Sequence, residues 1–507
     1  MAGRKANQPQ YLFFCGNLDK STFGVVNFSG NDTISSPYEF SINLKSPKAD
    51  IKADDVVNKQ ATLFMFRDGE YYPYSGVVLE FAYLDTNIDF SSYHVIMVPK
   101  LQQLDFSFQT RVFQKMTAPD IVQQVLDDGN LSDYYEIDLQ GTYPEREYVI
   151  QYQESDLNFI SRLLEEAGIW YFFKELPLLP EEIESVTTEK LIISDKPASF
   201  VFIDGESEIV FRTGAGLHEK TEQAVMESVT KISSEKRVVS QNVKVKNYNY
   251  RTPEVDLSSQ KAVSNGLTGT VYRYGEEIKD TDTADKAADV IAKRIASSQA
   301  DISGISTCPG FRAGLRFTIK QHPREDCNDK YLLRNITHKG GHTSAGGGSG
   351  YSSYTNDFTA IASDMIESFK PPLTAKKPKI NGIMTAMIEA SGSEYASLDD
   401  MGRYKVRMPF DLSDTANYEG SKYMRLAQPY SGSNYGMHFP SHENAEMIFG
   451  CIDGNPDRPL GIGTVPNANT VSPVVSNSTR IKSPNSIPAA NHPRIATKYM
   501  RPMRLWS

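Results

Sequence analysis

The chain has 507 residues, 23% of them charged and 39% hydrophobic, which excludes a disordered polymer and calls for about three domains rather than one core. Its net charge of −10 argues against nucleic-acid binding, and no stretch is long and apolar enough to span a membrane. Four widely spaced cysteines, Cys15, Cys308, Cys327 and Cys451, form no C-x-x-C pair, which argues against a zinc ribbon and fits folding in a reducing cytoplasm.

Residues 11–110 read mostly as strands. Tyr38-Glu39-Phe40-Ser41-Ile42-Asn43-Leu44 alternates apolar and polar side chains, the period of a half-buried strand. Stretches 63–66, 77–83 and 93–98 extend the set, with an Asp68-Gly69 turn signal after the first. Thr117-Ala118-Pro119-Asp120 has the form of a capping box with proline in the first turn. The apolar face Ile121, Val122, Val125 and Leu126 then predicts a helix that Gly129 stops.

Residues 151–173, QYQESDLNFISRLLEEAGIWYFF, read as strand, capped helix, glycine stop and strand. Ser155 is the expected cap, and Leu157, Ile160, Leu163, Leu164 and Ala167 fall three or four apart. Gly168 supplies a left-handed stop, and an aromatic strand follows. An acidic, proline-marked loop covers 177–189, and strands are expected at 191–194 and 199–203. Residues 225–275 again read as β, with clean alternation over 243–250. A third helix over 283–297 sets Ala284, Ala287, Ala288, Ile291 and Ile295 on one side. Strand candidates at 314–320 and 330–338 come next, then a Gly/Ser-rich stretch over 340–353, flexible or a long hairpin tip. Strand, helix and strand thus recur twice before residue 370, which predicts two barrel-like units with helical insertions. No fixed-period repeat is present, which argues against a solenoid.

Pro371-Pro372-Leu373-Thr374-Ala375-Lys376-Lys377-Pro378-Lys379 is the clearest linker. Beyond it, Arg403-Tyr404-Lys405-Val406-Arg407-Met408 predicts a strand with one wet basic face. Strands at 422–427, 447–452 and 460–465, with Met437-His438-Phe439-Pro440 after a loop, give about five in 85 residues, as in an OB-like Greek-key barrel. Asp453-Gly454-Asn455-Pro456-Asp457-Arg458-Pro459 is dense with turn residues, a rigid turn in which Asp457 and Arg458 would form an exposed ion pair.

Residues 151–173 resemble the signature of the VgrG family, the spike-hub proteins of type VI secretion systems, themselves similar to the hub and spike of contractile phage tails. Further segments look like that family's OB-domain motifs, in its order: Asp400-Met401-Gly402-Arg403-Tyr404-Lys405-Val406-Arg407, Ala427-Gln428-Pro429-Tyr430, Gly436-Met437-His438-Phe439-Pro440 and Gly454-Asn455-Pro456-Asp457-Arg458-Pro459. The resemblance marks Gln151, Glu154, Ser155, Asp156, Leu157, Gly168, Gly402, Arg403, Gly436, Phe439, Pro440, Gly454, Pro456, Asp457, Arg458 and Pro459 as structural signature residues. It departs at Asn444-Ala445-Glu446, where the family often has Gly-Thr before the glutamate, and at a strand where Tyr423 or Met424 replaces a frequent tryptophan.

The fold expected is mainly β (α+β). Residues 1–370 would form a phage-hub-like base of two barrel-like units with an αβ insertion, 371–379 a linker, 380–466 an OB-fold domain and 467–507 a basic tail. From Val471 onward there are six basic residues and no acidic one, punctuated by prolines that oppose a β-ladder. The chain therefore reads as a short form without the β-helical needle of longer relatives. The resemblance implies a homotrimer that caps a hexameric Hcp-like tube, contacts baseplate components, and travels with effectors and a PAAR-type tip protein. It would assemble in the cytoplasm and be injected without a signal peptide; the apolar run at 11–15 is too short for one.

Other chemistries have weaker support. Glu154/Asp156 and Glu165/Glu166 have the form of hydrolase dyads, but acidic residues beside an amphipathic helix are usually solvated or caps. His338 and His342 have a metal-like spacing, but glycines separate them. Cys308 and Cys327 would pair only if the fold brought them together. A baseplate hub of a phage tail is the alternative reading, and a secreted β-rich hydrolase or glycan-binding protein the third. No catalytic, cofactor or metal residue is expected.

Overall fold

The computed structural model describes residues 10–472, apart from 68, 184, 204–207, 213–226, 276–277, 344–350, 393–394, 414–415, 417, 421 and 434. Two compact units divide at Lys377/Pro378, with Tyr148–Ile150 belonging to the second.

The first unit is built on a twelve-stranded sheet. Its first six strands are β1 (Tyr11–Cys15), β2 (Gly24–Thr33), β3 (Ser36–Ser46), β4 (Gln60–Arg67), β5 (Glu70–Thr86) and β6 (Ser91–Val98), in the order β1-β4-β5-β6-β3-β2. The alternation read at 38–44 is realised: Tyr38, Phe40, Ile42 and Leu44 are buried while Glu39 is exposed. Register shifts in β5 between Val78 and Glu80 and between Tyr83 and Asp85 are bulges that bend the strand. The group curls until Tyr11 of β1 meets Phe28 of β2 edge-on, with ring centroids 5.1 Å apart.

Next come β7 (Phe108–Met116), α1 (Ala118–Asp128), β8 (Tyr135–Asp138), β9 (Arg146–Ser155), α2 (Asp156–Ala167), β10 (Trp170–Lys174) and β11 (Lys190–Ser194). Thr117 caps α1 through the expected box: its hydroxyl accepts from Asp120 N at 3.3 Å, and its own N–H donates to Asp120 Oδ2 at 3.2 Å. Ser155 caps α2 by accepting from Asn158 N at 3.2 Å. Gly168 ends α2 at φ +72°, donating to Glu165 O at 3.1 Å, and Trp170, Tyr171, Phe172 and Phe173 are all buried.

The unit continues with β12 (Glu208–Phe211), β13 (Ser228–Lys236), β14 (Ser240–Asn247), β15 (Leu257–Ala262), β16 (Thr268–Tyr274), α3 (Thr281–Ser297), β17 (Ala300–Ser306), β18 (Arg316–Lys320), β19 (Lys330–Thr343), β20 (Tyr351–Ala362) and α4 (Ser363–Ile366). Six of these close a ring, β19-β18-β12-β13-β17-β20 and back to β19. Strand β19 also pairs with β2 and so joins the ring to the first six strands. Strands β15-β14-β16 form a separate sheet, whose Val243, Val245 and Leu257 share a core with Ala284, Ala288 and Ile291 of α3.

Two expectations change. Residues 199–203 are not a strand, because Pro197 starts a 3-10 turn through Ser199 and only Phe202 makes a lone bridge. The glycines at 340 and 341 do not loosen the chain; they stay inside β19, paired with Phe28 and Asn27 of β2. The tip over 344–350 and the tail over 473–507, with the basic residues read there, lie outside the described residues.

The second unit holds β21 (Ile383–Ile388), β22 (Tyr404–Arg407), β23 (Lys422–Met424), β24 (Ser431–Gly432), β25 (Tyr435–Gly436), β26 (Glu446–Cys451) and β27 (Pro459–Val465). Five of them pair antiparallel as β23-β22-β21-β26-β27, and a parallel bridge from Leu426 to Gly461 closes the sheet, an OB-type barrel. No helix among the described residues is long and apolar enough to cross a membrane.

Gly168 is a position where both backbone angle and space favour glycine. A Cβ there would meet Val290 Cγ1 at 3.1 Å and would sit on a left-handed residue. Gly168→Ala is expected to lower unfolding stability by about 1–2 kcal/mol, read as a shifted urea midpoint at unchanged slope.

Candidate functional site

The signature residues of 151–168 form a buried polar lattice around the start of α2. Gln151 is fully buried; its Nε2 donates to Asp156 Oδ1 at 2.7 Å and Glu154 O at 3.1 Å, and its Oε1 accepts from Arg111 Nε at 3.0 Å. Arg111 also reaches Asp156 at 2.7 Å and Asp128 at 3.0 Å, tying β7, α1 and α2 together. Glu154 accepts from Arg162 Nε at 2.9 Å and from Asn158 Nδ2 at 2.6 Å. Ser155 caps α2 and donates to Asp105 at 2.7 Å, while Leu157 is buried beside it.

These carboxylates are therefore not the solvated face read from the sequence. Glu154, Asp156 and Glu165 are buried, because Arg111 and Arg162 fold over the first two, and Glu165 accepts from Thr374 N at 2.9 Å and Ala375 N at 3.1 Å. The proline-rich stretch is thus fastened along α2 as far as Lys377, which pairs with Glu166 at 3.2 Å. Burial pushes the Glu166 carboxyl up, but Arg146, Lys377 and Arg162 outweigh it and hold it at about 2. Each carboxylate is committed to its own donors, and neither pair is arranged as an acid and a base.

In the second unit, Gly402 takes φ +69° and donates to Asp399 O at 2.9 Å. Asp399 also accepts from Arg403 N at 2.9 Å and Arg403 Nε at 2.6 Å. The wet basic face expected on β22 is a correction: Arg403 and Lys405 are buried beneath the Tyr423 ring, 5.4 and 5.0 Å from its centroid, and Arg407 pairs with Glu389 at 2.5 Å. The expected Asp457–Arg458 pair is a second correction. Asp457 turns inward and accepts from Ile150 N at 2.6 Å, while Arg458 lies 3.8 Å from Asp453. Asn455 Oδ1 accepts from Asp457 N at 3.0 Å, Pro456 is buried, Gly454 takes φ +72° with its carbonyl accepting from Ile380 N at 2.8 Å, and Pro459 opens β27. Gly436 takes φ +150°, and Phe439 and Pro440 are exposed rather than packed in the barrel.

A second polar cluster was touched by the sequence reading only at His338. In the first unit, Arg312 pairs with Glu175 at 3.3 Å, donates to Pro73 O, and lies 3.9 Å over the Tyr74 ring. Tyr74 OH donates to Asp32 at 3.0 Å and meets His338 Nε2 at 3.0 Å; His338 Nδ1 meets Tyr354 OH at 2.6 Å. Asp32 also accepts from Ala313 N at 3.0 Å, and Glu175 from Ser75 N at 3.0 Å. Their residue types carry no spacing signal, since the members come from positions 32 to 354. His338 and His342 sit on one strand, about 13 Å apart along it, and both ring nitrogens of His338 are engaged within this cluster. Cys308 and Cys327 are not joined in a disulfide.

Burial drives the Glu175 carboxyl up to about 7 against the pull of Arg312, and drives His338 down to about 3. A raised carboxyl contributes stability fully below its unfolded value of 4.5 and loses it as pH rises toward 7. Glu175→Gln is therefore expected to flatten the fall of stability between pH 5 and 7, by up to about 1.4 kcal/mol per pH unit, in urea titrations. Arg312→Met leaves Asp32 and Glu175 buried without their cation and is expected to cost about 3–5 kcal/mol in the same assay.

Comparison with known proteins places this architecture. A family model described as the phage tail baseplate hub (GPD) matches residues 31–344. The type VI secretion system spike proteins VgrG5 and VgrG4b of Pseudomonas aeruginosa PAO1 are each 27% identical, over 90% and 91% of this chain. The chain spans 57% of the length of each of these relatives. Among solved structures, the E. coli c3393 protein, described as a type VI secretion component similar to T4 tail proteins gp27 and gp5, has a TM-score of 0.62 at 23% identity, covering 89% of this chain and 99% of that one. A chain of the lidded Francisella PdpA-VgrG complex has a TM-score of 0.58 at 9% identity, over 92% of this chain and 72% of that one. At these identities the structural likeness is one of fold, a mainly β hub. The chain belongs to the phage tail baseplate hub (GPD) family, with VgrG spike proteins among its relatives.

Proposed function

We propose that this chain is a structural hub and spike protein of a type VI secretion machine, without catalytic activity of its own. The observation that carries the reading is the division of the twelve-stranded sheet into two six-strand groups. Three copies would present six such groups, a ring matched in symmetry to a hexameric Hcp-like tube. The relatives named as type VI spike proteins support the same assignment.

The OB-type barrel would follow toward the tip of the assembly, where a PAAR-type protein and effectors would travel. Sheath contraction would supply the energy, and this chain would transmit force through subunit interfaces and baseplate contacts. It would assemble in the cytoplasm and leave with the machine. A hub of a phage tail or phage-like particle is the second reading, favoured by the name of the matching family model.

Light scattering on the purified chain tests the assembly. The expected mass is about 170 kDa, three times 56.6 kDa. A monomer at micromolar concentration that also fails to bind the tube protein would remove the symmetry-adaptor reading.

A further inference from the structure

The second unit carries an exposed apolar arm that the barrel does not use. Between β23 and β26 the chain leaves the barrel and forms the hairpin of β24 and β25, two residues per strand, closed by Met437 N donating to Tyr430 O at 2.8 Å. Its base is anchored on the buried Tyr404, whose hydroxyl donates to Phe439 O at 3.4 Å and accepts from Ser441 N at 3.3 Å. Its side chains turn outward: Tyr430, Tyr435 and Phe439 are 57–59% exposed and Met437 is 42% exposed. The Tyr430 and Tyr435 rings lie 5.3 Å apart and bury little against the barrel.

Two facts point to what covers the arm. A two-stranded hairpin this short is marginal in water without further packing. Between Arg425 and Glu443 there is also no Asp, Glu, Lys or Arg, in a chain of net charge −10. Between copies of so acidic a chain, a contact meets least close like-charge opposition where each presents no charge. Around a rotation axis the constraint is stricter, because a patch on the axis meets its own copies and any charge there faces its like. Exposed Tyr, Phe and Met without charge are the composition of an interface core.

We infer that this arm is the site at which second-unit barrels of neighbouring copies pack, with Tyr430, Tyr435, Met437 and Phe439 clustered on the rotation axis. The inference rests on the trimeric reading above and assigns it a surface. Ser433, at the exposed hairpin turn, then lies close to its counterparts in the other copies.

Two variants test it in the full chain. In a Cys451→Ser background, Ser433→Cys treated with a short bismaleimide is expected to give linked dimers, while the background alone gives none. Tyr435→Lys combined with Phe439→Lys is expected to shift the concentration at which the trimer forms at least tenfold upward, with an unchanged near-ultraviolet dichroism spectrum showing that the fold is kept. If the parent chain is a trimer but Ser433→Cys does not link, or the lysines leave its mass unchanged, the arm serves another partner and the inference fails while the hub reading stands. If the lysine variant misfolds, the cross-link alone decides. A parent chain that is monomeric throughout removes the trimer and the inference together.

Discussion

One buried guanidinium fixes how the two strand groups of the first unit meet. Arg312 stands just before β18, yet it touches Pro73 and Tyr74 of β5 and Glu175 after β10. Asp32 of β2 completes the same cluster through Tyr74 and Ala313. Backbone pairing between β2 and β19 would be satisfied equally well in more than one register. The cluster is not so permissive. A buried ion costs several kcal/mol unless its partners are in place. In the observed placement Asp32, Glu175, Arg312 and His338 all find partners, and a slipped register would part Asp32 on β2 from His338 on β19 and from Ala313. The network thus acts less as a source of net stability than as a device that makes competing arrangements expensive.

The lattice around α2 works by the same logic at smaller scale. Gln151, Arg111 and Asp156 tie the start of the helix to β7 and β9, and Glu165 holds the chain at Thr374 and Ala375 by their amides. A stretch that composition marks as a linker is thereby held as far as Lys377. Its prolines remove backbone donors, so the amides that remain at 374 to 376 are the ones α2 captures.

Local signals were legible in the sequence, and long-range ones were not. The caps at Thr117 and Ser155, the stop at Gly168 and the alternation of β3 depend on neighbours within a few residues, so spacing reveals them. Four barrel strands of the second unit, β22, β23, β26 and β27, were legible for the same reason, whereas β21 was not read and Met437 to Pro440, read among the strands, is not one. The burial of Arg403 and Lys405 was not legible, because an alternating basic strand looks wet until a distant ring, here Tyr423, is known to cover it. Asp457 misled in the same way: its neighbour Arg458 is adjacent in sequence, but the partner that matters is Ile150 N, some three hundred residues earlier. Asp32, Glu175 and Arg312 have no local signature whatever, since each is an ordinary charged residue until the sheet brings them together.

This division between local and long-range order bears on function. Part of the polar chemistry of the first unit is turned inward, where Arg111, Arg162 and Arg312 engage Asp156, Glu154 and Glu175. Carboxylates so engaged hold geometry. What the protein presents outward is instead surface, acidic on average and locally uncharged along the Tyr430 to Phe439 arm. In the assembly proposed above, a body with such a surface would carry load. Force passes through packed elements with little loss when their registers admit no slip, and the buried charges deny the slip.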